Sequence, residues 1–226
     1  MSERLLEATG LTMTYGEENV LRGIDLDIGD GITVIMGESG SGKSTLMNCL
    51  ATTESATGGS VLFGGVDLLL KRPKELARLR ADRMGFVFQS SGLLGGLTVA
   101  ENIQLPHQAN KTNVDPDYAM EVSVGLRIDR LLAKRPGEIS GGEAQRVAIA
   151  RALVHKPDIV FADEPTAALD AHNRSNVYKG LRSVSDLFGT TVVVVAHDDY
   201  ATSGSYADRV VTLSDGMIDS VVSRGD

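Results

Sequence analysis

The chain has 226 residues, 42% of them hydrophobic and 23% charged, an ordinary balance for one globular domain or one domain with an inserted lobe. Its net charge of −8 and the lack of any dense basic cluster exclude a nucleic-acid partner held mainly through its phosphates. One cysteine excludes an internal disulfide, and no run approaches the roughly 18 apolar residues of a membrane span, so a cytoplasmic chain without a leader peptide is expected.

The first elements in chain order read as strands: "LLEATGLTMTY", then "NVLRGIDLDI" with alternating Leu21, Ile24, Leu26 and Ile28, then the short buried run "GITVIM". A helix follows in "KSTLMNCLA", with Leu46, Cys49 and Leu50 on one face, and Cys49 reads there as a small buried residue. "GSVLFGG" is a further strand, Pro73 to Arg83 a charged helix and "GFVF" a short strand. From about residue 90 to 138 the pattern turns helical, in "LTVAENI", "DPDYAMEVSVGL" and "RIDRLLAKR". That stretch predicts an all-helical lobe inserted into an α/β core made of residues 1–89 and 139–226. The core resumes with the helix "GGEAQRVAIARALVHK", the strand "DIVFAD", a helix from Ala171 and the strand "TVVVVAH". In the tail, Asp215-Gly216 between apolar runs predicts a hairpin.

Between the strand ending at Met36 and the helix starting at Lys43 lies "GESGSGKST", Gly37, Glu38, Ser39, Gly40, Ser41, Gly42, Lys43, Ser44 and Thr45. Its spacing fits the pattern G-x-x-x-x-G-K-[ST], and a strand, a Gly-rich loop and a helix occur in the order a phosphate-binding loop requires. Glycines let backbone N–H groups turn inward around phosphate oxygens, and the helix start adds partial positive charge. Lys43 then serves the β- and γ-phosphates and Ser44 the shell of a Mg²⁺ ion. Such a loop needs a metal ligand and a group that orients water; Asp163 at the end of "DIVFAD" and Glu164 after it are the candidates.

With these motifs the chain resembles the nucleotide-binding subunits of ATP-binding cassette (ABC) transporters over nearly its whole length. "ISGGE", Ile139 to Glu143, resembles their signature, with Glu143 in place of the usual Gln. The resemblance implies that Ser140, Gly141, Gly142 and Glu143 close on the γ-phosphate held by a second subunit. It implies that Gln89 in "FVFQ" links metal and water to the helical lobe, and that Asp170 in "ALD" lies at the dimer interface. His197 in "VVVVAHD" matches the histidine that meets the γ-phosphate, and Tyr15 in "MTYG" the aromatic that stacks on adenine. The implied fold is a RecA-like P-loop core with an antiparallel β subdomain and the helical subdomain. The implied site has Glu164, His197 and Gln89 as catalytic residues, Ser44, Gln89 and Asp163 at Mg²⁺, and ATP as substrate. Glu143 is expected to add negative charge near the partner's nucleotide.

"LARLRADRMGFVFQSSGLLGGLTVAENIQLP" resembles the group containing the lipoprotein-release and macrolide-exporter ATPases. The resemblance implies a homodimer of this chain with two copies of a separate membrane permease, on the cytoplasmic side of the membrane. It implies export or extraction of an amphipathic substrate, with haem, a drug or a peptide ahead of a lipoprotein. The alternative within the same group is an ATPase that regulates a cell-wall hydrolase without transport. A soluble cassette of DNA repair or iron–sulfur assembly fits poorly, because the chain is acidic and has no coiled-coil or zinc insertion.

Overall fold

A computed structural model describes residues 5–197, 201–202 and 206–224. In chain order the elements are β1 (Leu6–Tyr15), β2 (Glu18–Ile28), β3 (Ile32–Gly37), α1 (Lys43–Leu50), β4 (Gly58–Phe63), β5 (Val66–Asp67), α2 (Pro73–Arg83) and β6 (Met84–Val87). Then come α3 (Val99–Asn110), α4 (Pro116–Gly125), α5 (Gly141–Leu153), β7 (Ile159–Asp163), α6 (Ala171–Phe188), β8 (Thr191–Val195), β9 (Arg209–Ser214) and β10 (Met217–Ser223). The chain divides into two compact units, one of residues up to Arg80 and from Val193 on, the other Ala81–Val192.

The first unit holds an antiparallel sheet in the order β2-β1-β4-β5. Leu6, Ala8, Leu11 and Met13 of β1 and Leu21, Ile24, Leu26 and Ile28 of β2 are buried, the alternation of a sheet with one covered face. In the same unit β3 runs parallel to β9, and β9 pairs antiparallel with β10. The β9–β10 turn has Asp215 at φ 46° and Gly216 at φ 73°, the left-handed pair that a two-residue hairpin needs. Beside β3 the Ala196 amide, just past β8, donates to the Ile35 carbonyl. Ile32, Val34 and Ile35 of β3 are buried, as are Leu46, Cys49 and Leu50 of α1.

In the second unit β6 and β7 pair in parallel, from Met84 opposite Ile159 to Val87 opposite Ala162. Ile159, Val160, Phe161 and Ala162 are all buried, the continuous apolar run of a strand covered on both faces. Helix α5 carries Val147, Ala148, Ile149, Ala150 and Leu153 inward, and α6 adds Val177, Leu181 and Val184. Helix α3 begins at a complete capping box: the Glu101 amide donates to Thr98 Oγ1, and the Thr98 amide donates to the Glu101 carboxylate. The fully buried Asn102 bonds the backbone of Leu94, Leu97 and Thr98, which pins the turn leading into that helix.

One expected helix is absent. "RIDRLLAKR" forms only a single 3₁₀ turn, Asp129–Leu131. The carbonyls of Leu132 and Lys134 instead accept from the amides of Ala100 and Val99, first-turn donors of α3 that have no acceptor inside their own helix. Pro136 then opens a second 3₁₀ turn.

Candidate nucleotide site

In the first unit the loop after β3 starts at a position that leaves no room for a side chain. Gly37 has φ 148°, and a Cβ there would overlap the Leu213 carbonyl oxygen of β9 and sit 2.7 Å from Ser41 Oγ. The Ser41 amide donates to the Glu38 carbonyl at 3.2 Å, folding the loop back on itself. Lys43 is 4% exposed, and its ammonium donates to the Glu38 carbonyl at 2.6 Å. A buried ammonium is costly without acceptors, so the loop's own backbone holds this charge at the helix start.

Helix α1 starts at Gly42, and no side chain caps it. Ser41 Oγ is buried with no hydrogen-bond partner. An uncapped helix start, a buried cation and an orphaned hydroxyl within three residues fit a phosphate group, which would satisfy all three. Glu38, Ser39, Gly40 and Ser44 are exposed around them, and Thr45 is half-buried.

Tyr15 ends β1 with its ring 43% exposed. Glu54 beside its hydroxyl, with burial second, pushes the phenol pKa up. His197 follows β8 as an exposed residue.

The other predicted residues lie in the second unit. Asp163 is the last residue of β7 and is half-buried, and Glu164 next to it takes φ 44°, rare for a side chain of its size. That left-handed step turns the chain sharply; the Ala167 amide donates back to the Glu164 carbonyl at 3.2 Å and the Leu169 amide to Thr166. Asp170 then caps α6, accepting from the Asn173 amide at 2.8 Å and the Asn173 side chain at 2.8 Å. These bonds hold its carboxyl below the usual range.

Ser140 caps α5 in a reciprocal box. The Glu143 amide donates to Ser140 Oγ at 3.3 Å, and the Ser140 amide donates to the Glu143 carboxylate at 2.9 Å. Arg130 meets the other carboxylate oxygen at 3.1 Å. The Ser140 amide, foremost among these donors, holds the Glu143 carboxyl below its ordinary pKa. The ionised carboxylate of Glu143 is thus engaged by the helix it caps and by a guanidinium. Gly142 is buried against α6, where a Cβ would overlap Asn173 Oδ1 and lie 2.7 Å from its Cγ. The Asp170 cap and the signature turn therefore meet through Asn173.

Gln89 is exposed just beyond β6, and its position is set from α5. The buried Gln145 donates to the Phe88 carbonyl at 2.7 Å, and Arg151 donates to the Ser91 and Gly92 carbonyls at 2.6 and 2.8 Å. Burial lowers the Arg151 pKa. Sequence reasoning missed Gln145, Arg151 and Asn173. A polar Gln on the apolar face of α5 was the available signal for the first; the other two have no local signature.

Residues 21–167 match the ABC transporter family. The chain is 40% identical to a bacitracin export ATP-binding protein, BceA, of Halalkalibacterium halodurans, over 98% of this chain and 90% of that one. It is 41% identical to a macrolide export ATP-binding/permease protein, MacB, of Marinobacter nauticus, over 96% of this chain and 35% of that longer one. Among solved structures it superimposes on the ATP-binding cassette MJ0796, in a dimeric state bound to ADP and phosphate, with a TM-score of 0.82, 33% identity and coverage of 98% and 99%. The loop, the strand-end acids and the capped signature turn thus belong to a molecule whose likeness to known cassettes spans almost every residue, and the chain is a member of the ABC transporter family of ATPases.

Proposed function

We propose that this chain is the ATP-hydrolysing subunit of an exporter, powering a separate membrane permease that extrudes or extracts an amphipathic substrate. The observation that carries this reading is the loop at α1, where a buried Lys43 and an uncapped helix start await a polyphosphate. The likeness to a bacitracin export protein supports a peptide antibiotic, beside haem or a drug, as cargo in this reading.

In this reading Gly37 to Thr45 wrap the phosphates and Tyr15 stacks on the base. Bound ATP supplies the phosphoanhydride that is split. Glu164 takes a proton from the attacking water, with Gln89 and His197 orienting water and γ-phosphate. Ser44, Asp163 and Gln89 offer oxygen donors of the kind Mg²⁺ prefers.

The chain has one phosphate loop and one signature turn, so two copies arranged head to tail would make two composite sites from Lys43 of one and Ser140 to Glu143 and Asp170 of the other. The dimeric state of the similar MJ0796 cassette supports this. Residues 90–138 act as the helical subdomain that passes dimer closure to the permease, with 1–89 and 139–226 as core. No described helix is long and apolar enough to cross a membrane. In this reading the chain works at the cytoplasmic face of the membrane, through two permease subunits.

The test is affinity purification of tagged Glu164→Gln protein from detergent-solubilised membranes with ATP and Mg²⁺, followed by mass spectrometry. A co-purifying permease is expected; a homodimer without any membrane protein would overturn the reading.

A further inference from the structure

We propose that a basic cleft in the second unit, between the end of α4 and helices α5 and α6, binds a small, multiply charged anion of the phosphate class. The cleft encloses about 530 Å³ and is lined by Arg127, Arg130, Arg146, His172 and Lys179, with Asp129 as its one lining acid. That volume suits a small ligand rather than a flat docking face. The chain as a whole carries 30 acidic against 22 basic residues, so four permanent cations around one cavity run against its overall charge.

Local structure gathers these charges. Arg127 takes φ 56° directly after α4, and its amide donates to the Val124 carbonyl at 2.9 Å. Arg146 on α5 holds the same turn by donating from Nε to the Leu126 carbonyl at 3.1 Å. Lys179 and His172 stand two helical turns apart on α6. Of the acids nearby, Glu143 is paired with Arg130, and Asp170 near His172 is bonded by Asn173. Among the described residues neither Arg127 nor Lys179 has an acidic side chain within ion-pair distance.

The like charges press on one another. Burial lowers the Arg146 pKa first, Glu143 opposes this, and Arg130 and Arg127 push it lower still. Cations held together at such a cost are relieved by an anion, and planar guanidinium forks match phosphate oxygens two at a time. Arg130 is shared with the carboxylate that caps the signature turn, so an anion in the cleft would compete for it.

The test is calorimetric titration of inorganic pyrophosphate into protein saturated with ADP, so that the loop at Lys43 is filled. One binding event per chain is expected, with a Kd below about 1 mM. It should weaken at least tenfold in the Arg127→Ala/Lys179→Ala protein and persist in Lys43→Ala. The single exposed change Lys179→Glu provides the same reading should the double variant not fold, and unchanged ADP affinity certifies either. No event beyond the ADP site, or an affinity indifferent to these changes, would overturn the proposal. So would tighter binding of an acidic decapeptide than of pyrophosphate.

Discussion

The starts of α1 and α5 both have glycines beside them, yet the molecule treats them in opposite ways. At α1 the cap is Gly42, no side chain closes the helix, and a buried ammonium stands beside an unsatisfied hydroxyl. At α5 the cap is Ser140 in a complete box with Glu143, and Arg130 balances the carboxylate. One helix start is left open for a strong ligand, while the other is stable by itself and offers only the amides of Gly141 and Gly142 that its box does not use. A ligand that touches both should therefore bind first and tightly at α1, and meet α5 as a weaker second contact.

The largest way to break this contrast is Lys43→Ala. It should lower ATP affinity at least a hundredfold in calorimetry with little loss of folded structure, and retained tight binding would refute the assignment. Next, Glu164→Gln should slow hydrolysis by about 10²–10⁴ while nucleotide affinity stays within a few-fold. Single-turnover measurements with the permease present separate the two, and normal turnover would sink the role given to Glu164.

Gly142→Ala tests the other end. Its methyl would strike Asn173, so a loss of about 1–3 kcal/mol is expected in chemical denaturation, with ADP affinity unchanged. Adding Asn173→Ala removes two of the three close atoms and should restore part of that stability.

Glu143→Gln sharpens the comparison more gently. The folded-state pKa of Glu143 is depressed, so its contribution is present above the ordinary carboxylate range and fades as pH falls through the lower folded value. The melting temperature of wild type should thus lose its advantage over the Gln variant on acidification below about pH 4.5. A constant gap would contradict the capping account. Smallest of all, Tyr15→Phe keeps the ring and removes only the hydroxyl beside Glu54, so ATP affinity should change by less than about threefold, roughly 0.7 kcal/mol.

Much of this was readable from residue order, because the features that carry it are local. The loop from Gly37 to Ser44 announces itself by spacing and the Asp215-Gly216 turn by its residue types. What escaped depends on partners far along the chain. Whether "RIDRLLAKR" becomes a helix is decided by Val99 and Ala100, whose amides claim its carbonyls. The pairing of the Glu143 charge depends on Arg130, 13 residues earlier, which no local pattern sets beside it. Likewise, Gln145 and Arg151 reach back some 57 to 60 residues to hold the backbone around Gln89, a separation no periodicity reveals.

Cys49 makes the chain convenient to label elsewhere. It is the sole cysteine, it lies buried on α1, and burial pushes its thiol up to about 12. At neutral pH almost none of it is thiolate, and what there is cannot meet a bulky reagent. The native chain is therefore already silent toward maleimides. A cysteine placed on the exposed face of α6 or beside the signature turn would be the only label acquired, ready for distance measurements between copies as ATP is added.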